Sequence, residues 1–137
     1  MTDYVYLTGK IKWPRLVRPD PKFDNWGVNI YLDKKSQTAF DESGLQLSIK
    51  TDEDGEFIKV SRAVQKQIKG ELVVFEAPKV IDKEGQALNG DTVGNGSRCT
   101  VKVAVFDTKK GKGHRLEAVQ VLDLVPFEPK GREGTRF

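Results

Sequence analysis

Side chains that could bind a nucleic acid occur together in the segment from Thr92 to Phe106. From Arg98 onward this segment alternates between apolar and polar positions, which predicts a strand with one buried and one solvent-facing side. The solvent-facing side carries Arg98, Lys102 and Phe106. Cations neutralise phosphates and aromatic rings stack on bases, so this combination predicts a surface for single-stranded nucleic acid.

The same combination recurs near the start of the chain. Residues 4–13 alternate, so Tyr6, Lys10 and Lys12 face away from the apolar positions. Trp13 falls in the buried phase, but its place beside Pro14 lets it swing outward. A further strand at residues 26–32 has Tyr31 on its outer side, and residues 57–62 place Phe57 next to Lys59. The predicted stacking residues are Tyr6, Trp13, Tyr31, Phe57 and Phe106, and the predicted phosphate contacts are Lys10, Lys12, Arg15, Arg18, Lys59, Arg98 and Lys102.

A single tyrosine on a strand face is more often an ordinary half-buried surface residue than a platform for bases. The aromatic positions here lie on four separate strands, and three of them share a strand face with a lysine or lie beside one. This coincidence favours a nucleic-acid surface over four unrelated surface residues.

The sequence offers no convincing catalytic or metal site. The single histidine, His114, lies in a lysine-rich segment without an identifiable partner, which favours a structural or phosphate-contacting role over catalysis. One cysteine and one histidine fall short of a zinc ligand set. The acidic run at 52–56 lacks the calcium-loop spacing, because Lys50 stands where the first aspartate is needed. We therefore predict a protein that is not an enzyme and needs no metal or cofactor.

The length and composition of the chain limit the number of domains, the charge of any surface and the compartment. A chain of 137 residues is long enough for one domain, and a net charge of +3 requires any basic face to come from arrangement. The only cysteine, Cys99, is in phase with buried valines, which excludes an internal disulfide and indicates a reducing compartment. The sequence shows neither a membrane-spanning run nor a signal peptide, so we expect a soluble, intracellular protein.

The remaining elements follow from turn signals and periodicity. Prolines predict a long basic loop over 14–25, and Asp33 and Gly44 bracket a short helix over 33–43. Asp54-Gly55 predicts a hairpin. Residues 61–70 allow either a short helix or an extension of that hairpin, and residues 71–80 predict an edge strand or extended arm broken by Pro78.

The last elements complete a small all-β domain. A hairpin loop over 107–115 leads to a last strand over 116–125, which gives a domain over 1–126 and a loose tail over 127–137. Five or six strands with one or two short helices fit a small closed barrel. The five-stranded OB-fold barrel is the best match, because it binds oligonucleotides on a strand face and through its loops.

Three segments resemble one family. Leu7-Thr8-Gly9-Lys10-Ile11-Lys12-Trp13-Pro14-Arg15-Leu16, the stretch from Phe75 to Gly85, and above all Val93-Gly94-Asn95-Gly96-Ser97 are similar to the single-stranded DNA-binding proteins of tailed bacteriophages, of the T7 type. The similarity extends to about Val125 and rests on the order and spacing of the motifs. It implies an OB-fold protein that coats single-stranded DNA in the host cytoplasm during phage replication, recombination or repair.

The resemblance also implies an acidic C-terminal tail that contacts replication proteins. Residues 130–137 are not acidic, so either that tail lies outside this sequence or the partner function is missing. A homodimer is compatible with the sequence. The alternatives are an OB-type module that binds RNA or a protein partner, and a phage structural or accessory protein whose barrel face is unused.

Overall fold

Strands make up most of the chain in the computed structural model, which describes residues 3–22, 24–45, 47–108 and 111–126. Nine strands, one α-helix and one short 3₁₀-helix form within these ranges. The predicted tail over 127–137 lies outside them. The strands are β1 (Asp3–Asp20), β2 (Asn25–Leu32), β3 (Lys50–Asp52), β4 (Gly55–Ala63), β5 (Gln65–Ile68), β6 (Glu71–Val74), β7 (Lys79–Ile81), β8 (Arg98–Thr108) and β9 (Gly111–Asp123); the helix α1 is Lys34–Ser43 and the 3₁₀-helix is Gly90–Thr92.

Seven strands form one sheet in the order β3-β4-β2-β1-β8-β9-β7. Its neighbours pair antiparallel, except that β7 pairs parallel with β9. Strands β5 and β6 form a separate hairpin. The long strand β1 therefore lies between β2 and β8, and the outer side chains of all three share one face.

The all-β, OB-like fold is confirmed, but the closed five-stranded barrel is not. Within the described residues β4 and β9 are not joined by a ladder. They meet through individual hydrogen bonds: the Ser61 N–H donates to His114 Nε2 (3.2 Å), and Arg62 Nη1 donates to the Leu116 carbonyl (3.3 Å). Strand β3 pairs along the beginning of β4. That pairing covers only residues 55–57, and no ladder within the described residues closes the sheet between β4 and β9.

The core consists of the apolar phases of the strands, as predicted. Leu7, Ile11, Ile30, Cys99 and Leu116 are each completely buried. Burial of such a side chain contributes about 1.5–3 kcal/mol, so the alternating pattern fixes which side of each strand faces inward. Burial also raises the pKa of the Cys99 thiol to about 12. Trp26, predicted as a core residue, is buried and donates its Nε1–H to the Val17 carbonyl (3.0 Å).

The predicted helix is confirmed. The Asp33 side chain accepts a hydrogen bond from the Ser36 N–H (2.8 Å), which satisfies one of the free donors of the first turn. Phe40 packs into the core, and the helix ends before Gly44. No helix within the described ranges has the length and apolar content needed to cross a membrane.

The predicted loop over 14–25 is wrong for most of its length, because β1 continues to Asp20. Its pairing with β2 becomes irregular, with register shifts after Lys12 and after Arg15. Such bulges interrupt the ladder, so the missing N–H groups of Pro14 and Pro19 cost little there. Leu16, buried within this extension, ties it to the core.

The hairpin at Asp54-Gly55 is confirmed, with Glu53 and Asp54 at its turn and Gly55 as the first residue of β4. The helix alternative for 61–70 is wrong. Strand β4 continues to Ala63, and β5 and β6 then pair around Lys69 and Gly70, both at positive φ as a tight hairpin turn requires.

The remaining boundaries shift toward longer strands. The predicted loop over 107–115 is mostly strand, because β8 reaches Thr108 and β9 begins at Gly111. Lys109 and Lys110, part of that predicted loop, lie outside the described residues. The predicted arm over 71–80 is divided between β6 and the edge strand β7.

Candidate nucleic-acid interface

Cross-strand register brings several predicted contact residues together on one face. Lys10 lies opposite Tyr31, and Lys12 lies opposite Asn29. Asn29 lies in turn opposite Lys59 of β4. Neighbouring side chains on one sheet face are close enough to interact directly. We call this surface the β2 face, and it consists of Lys10, Lys12, Asn29, Tyr31, Phe57 and Lys59.

The aromatic part of the β2 face is a pair of rings. Tyr31 and Phe57 have ring centroids 5.2 Å apart and planes tilted by 45°. The Lys12 ammonium lies 5.6 Å from the Tyr31 centroid. Both rings are half-buried, so they are held in place and still contact solvent. A fixed ring beside a cation can stack on a base and neutralise the adjoining phosphate.

Carboxylates of the β3–β4 hairpin lie against this face, which the sequence pattern did not reveal. Asp54 forms an ion pair with Lys12, and Asp52 accepts a hydrogen bond from the Tyr31 hydroxyl. Partial burial, then the hydrogen bond to Asp52 and the charges of Asp52 and Glu53, raise the pKa of Tyr31 to about 12. The hydroxyl therefore stays protonated and donates to Asp52 at neutral pH.

Trp13 lies next to the β2 face and points outward, although its strand phase is the buried one. It has a positive φ of 53° and 66 % of its surface is exposed. The register shift after Lys12 is the cause, because a bulge redirects the side chain that follows it. The expected outward swing of Trp13 is therefore confirmed.

Arg15 and Arg18 follow Trp13 along the extension of β1. The Arg15 guanidinium lies 3.8 Å from Asp20, and that of Arg18 lies 3.7 Å from Asp91. Both arginine side chains are largely exposed, so these pairs are weak and open to competition from phosphates.

Tyr6, Lys102 and Arg98 lie on the same sheet face, further along β1 and β8. Tyr6 is exposed and lies opposite Lys102. The Lys102 ammonium is 4.4 Å from the centroid of Tyr4, an exposed ring that also belongs to this row. Arg98 lies opposite Lys10, and its guanidinium is 3.7 Å from the Asp33 carboxylate.

Phe106 lies apart from these residues in a different setting. Its ring is half-buried, with the Arg115 guanidinium 5.6 Å and the Lys66 ammonium 5.9 Å from its centroid. The guanidinium groups of Arg115 and Arg62 also lie over the Phe75 ring, 5.4 Å and 5.3 Å from its centroid. We call this group the arginine cluster: Arg62, Lys66, Phe75, Phe106, Arg115 and Glu117. Apart from Phe106, none of these residues was predicted from the sequence to form a site. They come from three short segments that lie far apart in the chain.

His114 lies between β4 and β9 and links the two strands through a hydrogen bond. It is half-buried, and desolvation together with the charge of Lys66 lowers its pKa below the usual value of 6.5. Only a neutral ring can accept the Ser61 N–H at Nε2. This geometry supports a structural role for His114, as the sequence suggested.

Comparisons with known proteins support the resemblance at the level of fold. No family model and no curated protein matches the chain. Solved structures do match: gp2.5, a single-stranded DNA-binding protein encoded by bacteriophage T7, is 17% identical with a TM-score of 0.67, and the alignment covers 94% of this chain and 91% of that one. The single-stranded DNA-binding protein from bacteriophage Enc34 in complex with ssDNA is 14% identical with a TM-score of 0.56, over 91% of this chain and 89% of that one. The chain therefore shares its fold with phage single-stranded DNA-binding proteins over nearly its whole described length.

Proposed function

We propose that this protein binds single-stranded DNA without catalysing a reaction and without reading sequence, in phage DNA replication, recombination or repair. The observation that carries the proposal is the β2 face, where Lys10, Tyr31, Phe57 and Lys59 lie on neighbouring strands of one sheet. The shared fold with phage proteins of this function supports it.

In the proposed mechanism, aromatic rings bind the bases and cations bind the phosphates. Bases stack on Tyr31 and Phe57 and on the exposed Trp13 and Tyr6, and every base has a π-face, so stacking tolerates any sequence. Phe106 stays a proposed stacking residue at the far end of the surface. Phosphates bind the cations along the same row: Lys10, Lys12, Arg15, Arg18, Lys59, Arg98 and Lys102.

Binding requires an exchange of partners. Lys12, Arg15, Arg18 and Arg98 each have a carboxylate partner in the free protein. A phosphate that replaces such a carboxylate keeps the cation paired, so the desolvation cost of that cation is not added again. The net gain then comes from counterions released by the strand, which makes the affinity depend on salt.

A competition titration tests the proposal. Labelled oligo-dT is bound to the protein, and unlabelled single-stranded DNA, RNA and duplex DNA compete with it in a fluorescence anisotropy measurement. We expect single-stranded DNA to compete best and log affinity to fall linearly with log salt, with a slope of roughly −0.7 per phosphate contacted. Stronger competition by RNA would favour the RNA-binding alternative, and a flat salt response would contradict the electrostatic mechanism.

The domain over 1–126, the contact with replication proteins and the homodimer stay predictions. Titration of a chain that ends at Pro126 tests the first. Sedimentation of the free protein tests the homodimer.

A further inference from the structure

The backbone at Trp13 is in a conformation that a bulky side chain rarely adopts. Its φ of 53° is in the left-handed region, which costs free energy in any residue with a Cβ. The Trp13 N–H lies on the same edge of β1 as the Ile11 N–H, which donates to the Ser97 carbonyl (2.9 Å), and the ladder of β1 with β8 ends before it, at Lys10 and Arg98. Something outside β1 and β2 must stabilise this conformation.

Asn95 supplies that stabilisation. Its Oδ1 accepts a hydrogen bond from the Trp13 N–H at 2.7 Å, across 82 positions of sequence. This donor lies beyond the end of the β1–β8 ladder, so Asn95 satisfies a group that would otherwise depend on water.

The turn that carries Asn95 is fixed on both sides. The Gly96 N–H donates to the Ile11 carbonyl (2.8 Å), and the Gly94 N–H donates to the Val125 carbonyl (2.7 Å). A Cβ at position 94 would lie 2.8 Å from the carbonyl oxygens of Val125 and Pro126, and Gly96 has a φ of 92°. The buried Ser97 hydroxyl donates to the Gly94 carbonyl (2.9 Å) and accepts from the Val125 N–H (2.9 Å). Asn95 is therefore presented to β1 from a rigid support.

Trp13 forms a ridge between two surface depressions. Both depressions are lined by Trp13 and Arg15. The first adds Asn25, Asn29 and Lys59, and so adjoins the β2 face. The second adds Arg18, Asp91, Asn95 and prolines of the β1 extension. Each depression therefore combines one shared ring with cations and with one carboxylate that pairs with an arginine, Asp20 with Arg15 in the first and Asp91 with Arg18 in the second.

We propose that Asn95 is a positioning residue that holds Trp13 outward between these two depressions, so that consecutive bases of one strand stack on either side of the indole. The proposal rests on the proposed function for its ligand, but the positioning of Trp13 is a property of the free protein. Arg15 lines both depressions and would contact the phosphate between the two bases.

A double-mutant cycle tests the coupling between Asn95 and Trp13. Affinity for oligo-dT is measured for the parent, Trp13→Ala, Asn95→Ala and the double variant. We expect Trp13→Ala to weaken binding by about 5- to 150-fold for each base that loses its stacking partner. Asn95→Ala should weaken it less, and the double variant should bind no worse than Trp13→Ala alone. Losses that multiply, or a loss with Trp13→Ala but none with Asn95→Ala, would overturn the proposal.

Asn89→Ala is the matched control, because its Oδ1 also accepts a backbone N–H, that of Asp91 (3.0 Å), in a neighbouring loop. Whatever its own effect, it should multiply with that of Trp13→Ala, since Asn89 does not bond to Trp13. Non-additivity of the same size in both cycles would overturn the specific assignment to Asn95.

A second readout needs no ligand. Trp26 is buried, so acrylamide quenching of tryptophan fluorescence reports mainly on the exposed Trp13. Asn95→Ala should change that quenching, and Asn95→Asp, which keeps the acceptor, should restore it. Unchanged quenching in Asn95→Ala would overturn the positioning role even if the protein binds no single-stranded DNA. If Trp13→Ala binds like the parent while Tyr31→Ala does not, the base sites at Trp13 are wrong and the proposed function stands.

Discussion

The β2 face and the arginine cluster have similar compositions and different contacts. Each combines two aromatic rings with cations. On the β2 face the ion-pair partner of Lys12 is Asp54, an exposed residue of a hairpin turn. In the arginine cluster Arg115 donates to Glu117 at 2.6 Å, two positions along the same strand, and Arg62 donates to the carbonyls of Glu76 (2.6 Å) and Leu116 (3.3 Å).

The cations of the β2 face can exchange their carboxylate partners for phosphates. The arginines of the arginine cluster are instead bonded to groups that they hold together within the protein. An exposed ion pair is worth little, so a phosphate can replace its carboxylate. A guanidinium that stacks on rings and bonds to backbone carbonyls holds β9, β4 and the segment at Phe75 together. Aromatic residues beside cations therefore indicate a binding surface only where the partners of the cations can be displaced.

The largest expected effect comes from removing one ring in each region. Tyr31→Ala should cost about 1–3 kcal/mol of binding to oligo-dT with a nearly unchanged salt slope, because stacking releases no counterions. Phe106→Ala should cost less than about 1 kcal/mol, because the Arg115 guanidinium beside its ring already donates to Glu117 on the same strand. Anisotropy titrations at two salt concentrations measure both. Equal losses would show that the two regions act alike and that Phe106 is a full stacking residue.

A smaller effect comes from removing the carboxylate partners. Asp54→Asn frees Lys12 for a phosphate, so affinity should rise by about 0.2–1 kcal/mol at low salt, the range for an exposed ion pair. The matched change in the arginine cluster, Glu117→Gln, should leave affinity unchanged and lower the free energy of unfolding by about 1 kcal/mol. Binding and urea unfolding of both variants make the comparison. Weaker binding by Asp54→Asn would contradict the view that the hairpin competes with DNA.

A third comparison uses the salt dependence of binding and one lysine from each region. Lys10→Gln should reduce the magnitude of the salt slope by about 0.7, because Lys10 lies on the β2 face. Lys66→Gln, which removes a lysine near Phe106, should leave the slope unchanged. The same loss of slope in both variants would place Lys66 on the path of the DNA.

The smallest effect concerns stability in acid and is confined to the arginine-cluster side of the molecule. Desolvation lowers the pKa of His114 in the folded state, so the unfolded chain binds the proton more readily. The contribution of the neutral ring is fully present above about pH 6.5, falls as pH drops through the range between the unfolded and folded pKa, and is absent below it. Urea unfolding at pH 8, 6 and 5 should show this loss in the parent and a flatter profile in His114→Gln. Identical profiles would show that folding does not lower the pKa of His114.

The sequence predicted the faces of the strands well. Leu7, Val101 and Ile30 are buried and Tyr6, Lys102 and Tyr31 are on the other side, because side chains alternate along any strand. Caps are equally local, so Asp33 and Gly44 defined the helix correctly. Local periodicity therefore determined which residues could bind a ligand.

Boundaries at prolines and glycines were predicted less well. Pro14 and Pro19 indicated a loop, and β1 includes both because its ladder is interrupted there. Gly111 and Gly113 also indicated a loop, and both lie within β9. These residues weaken a strand without forbidding it, and pairing with a long neighbour outweighs that local preference.

Tertiary structure alone decided which partners the candidate residues have. The contact of Asp54 with Lys12 spans 42 positions, and that of Asn95 with Trp13 spans 82. Arg115 and Phe75 meet because separate segments converge beside β9. Such contacts depend on register, on bulges and on the curvature of the sheet, which are set by packing of the whole core. The sequence by itself therefore determined the chemistry of the surface, and the tertiary structure determined which cations and rings are paired within the protein and which are exposed.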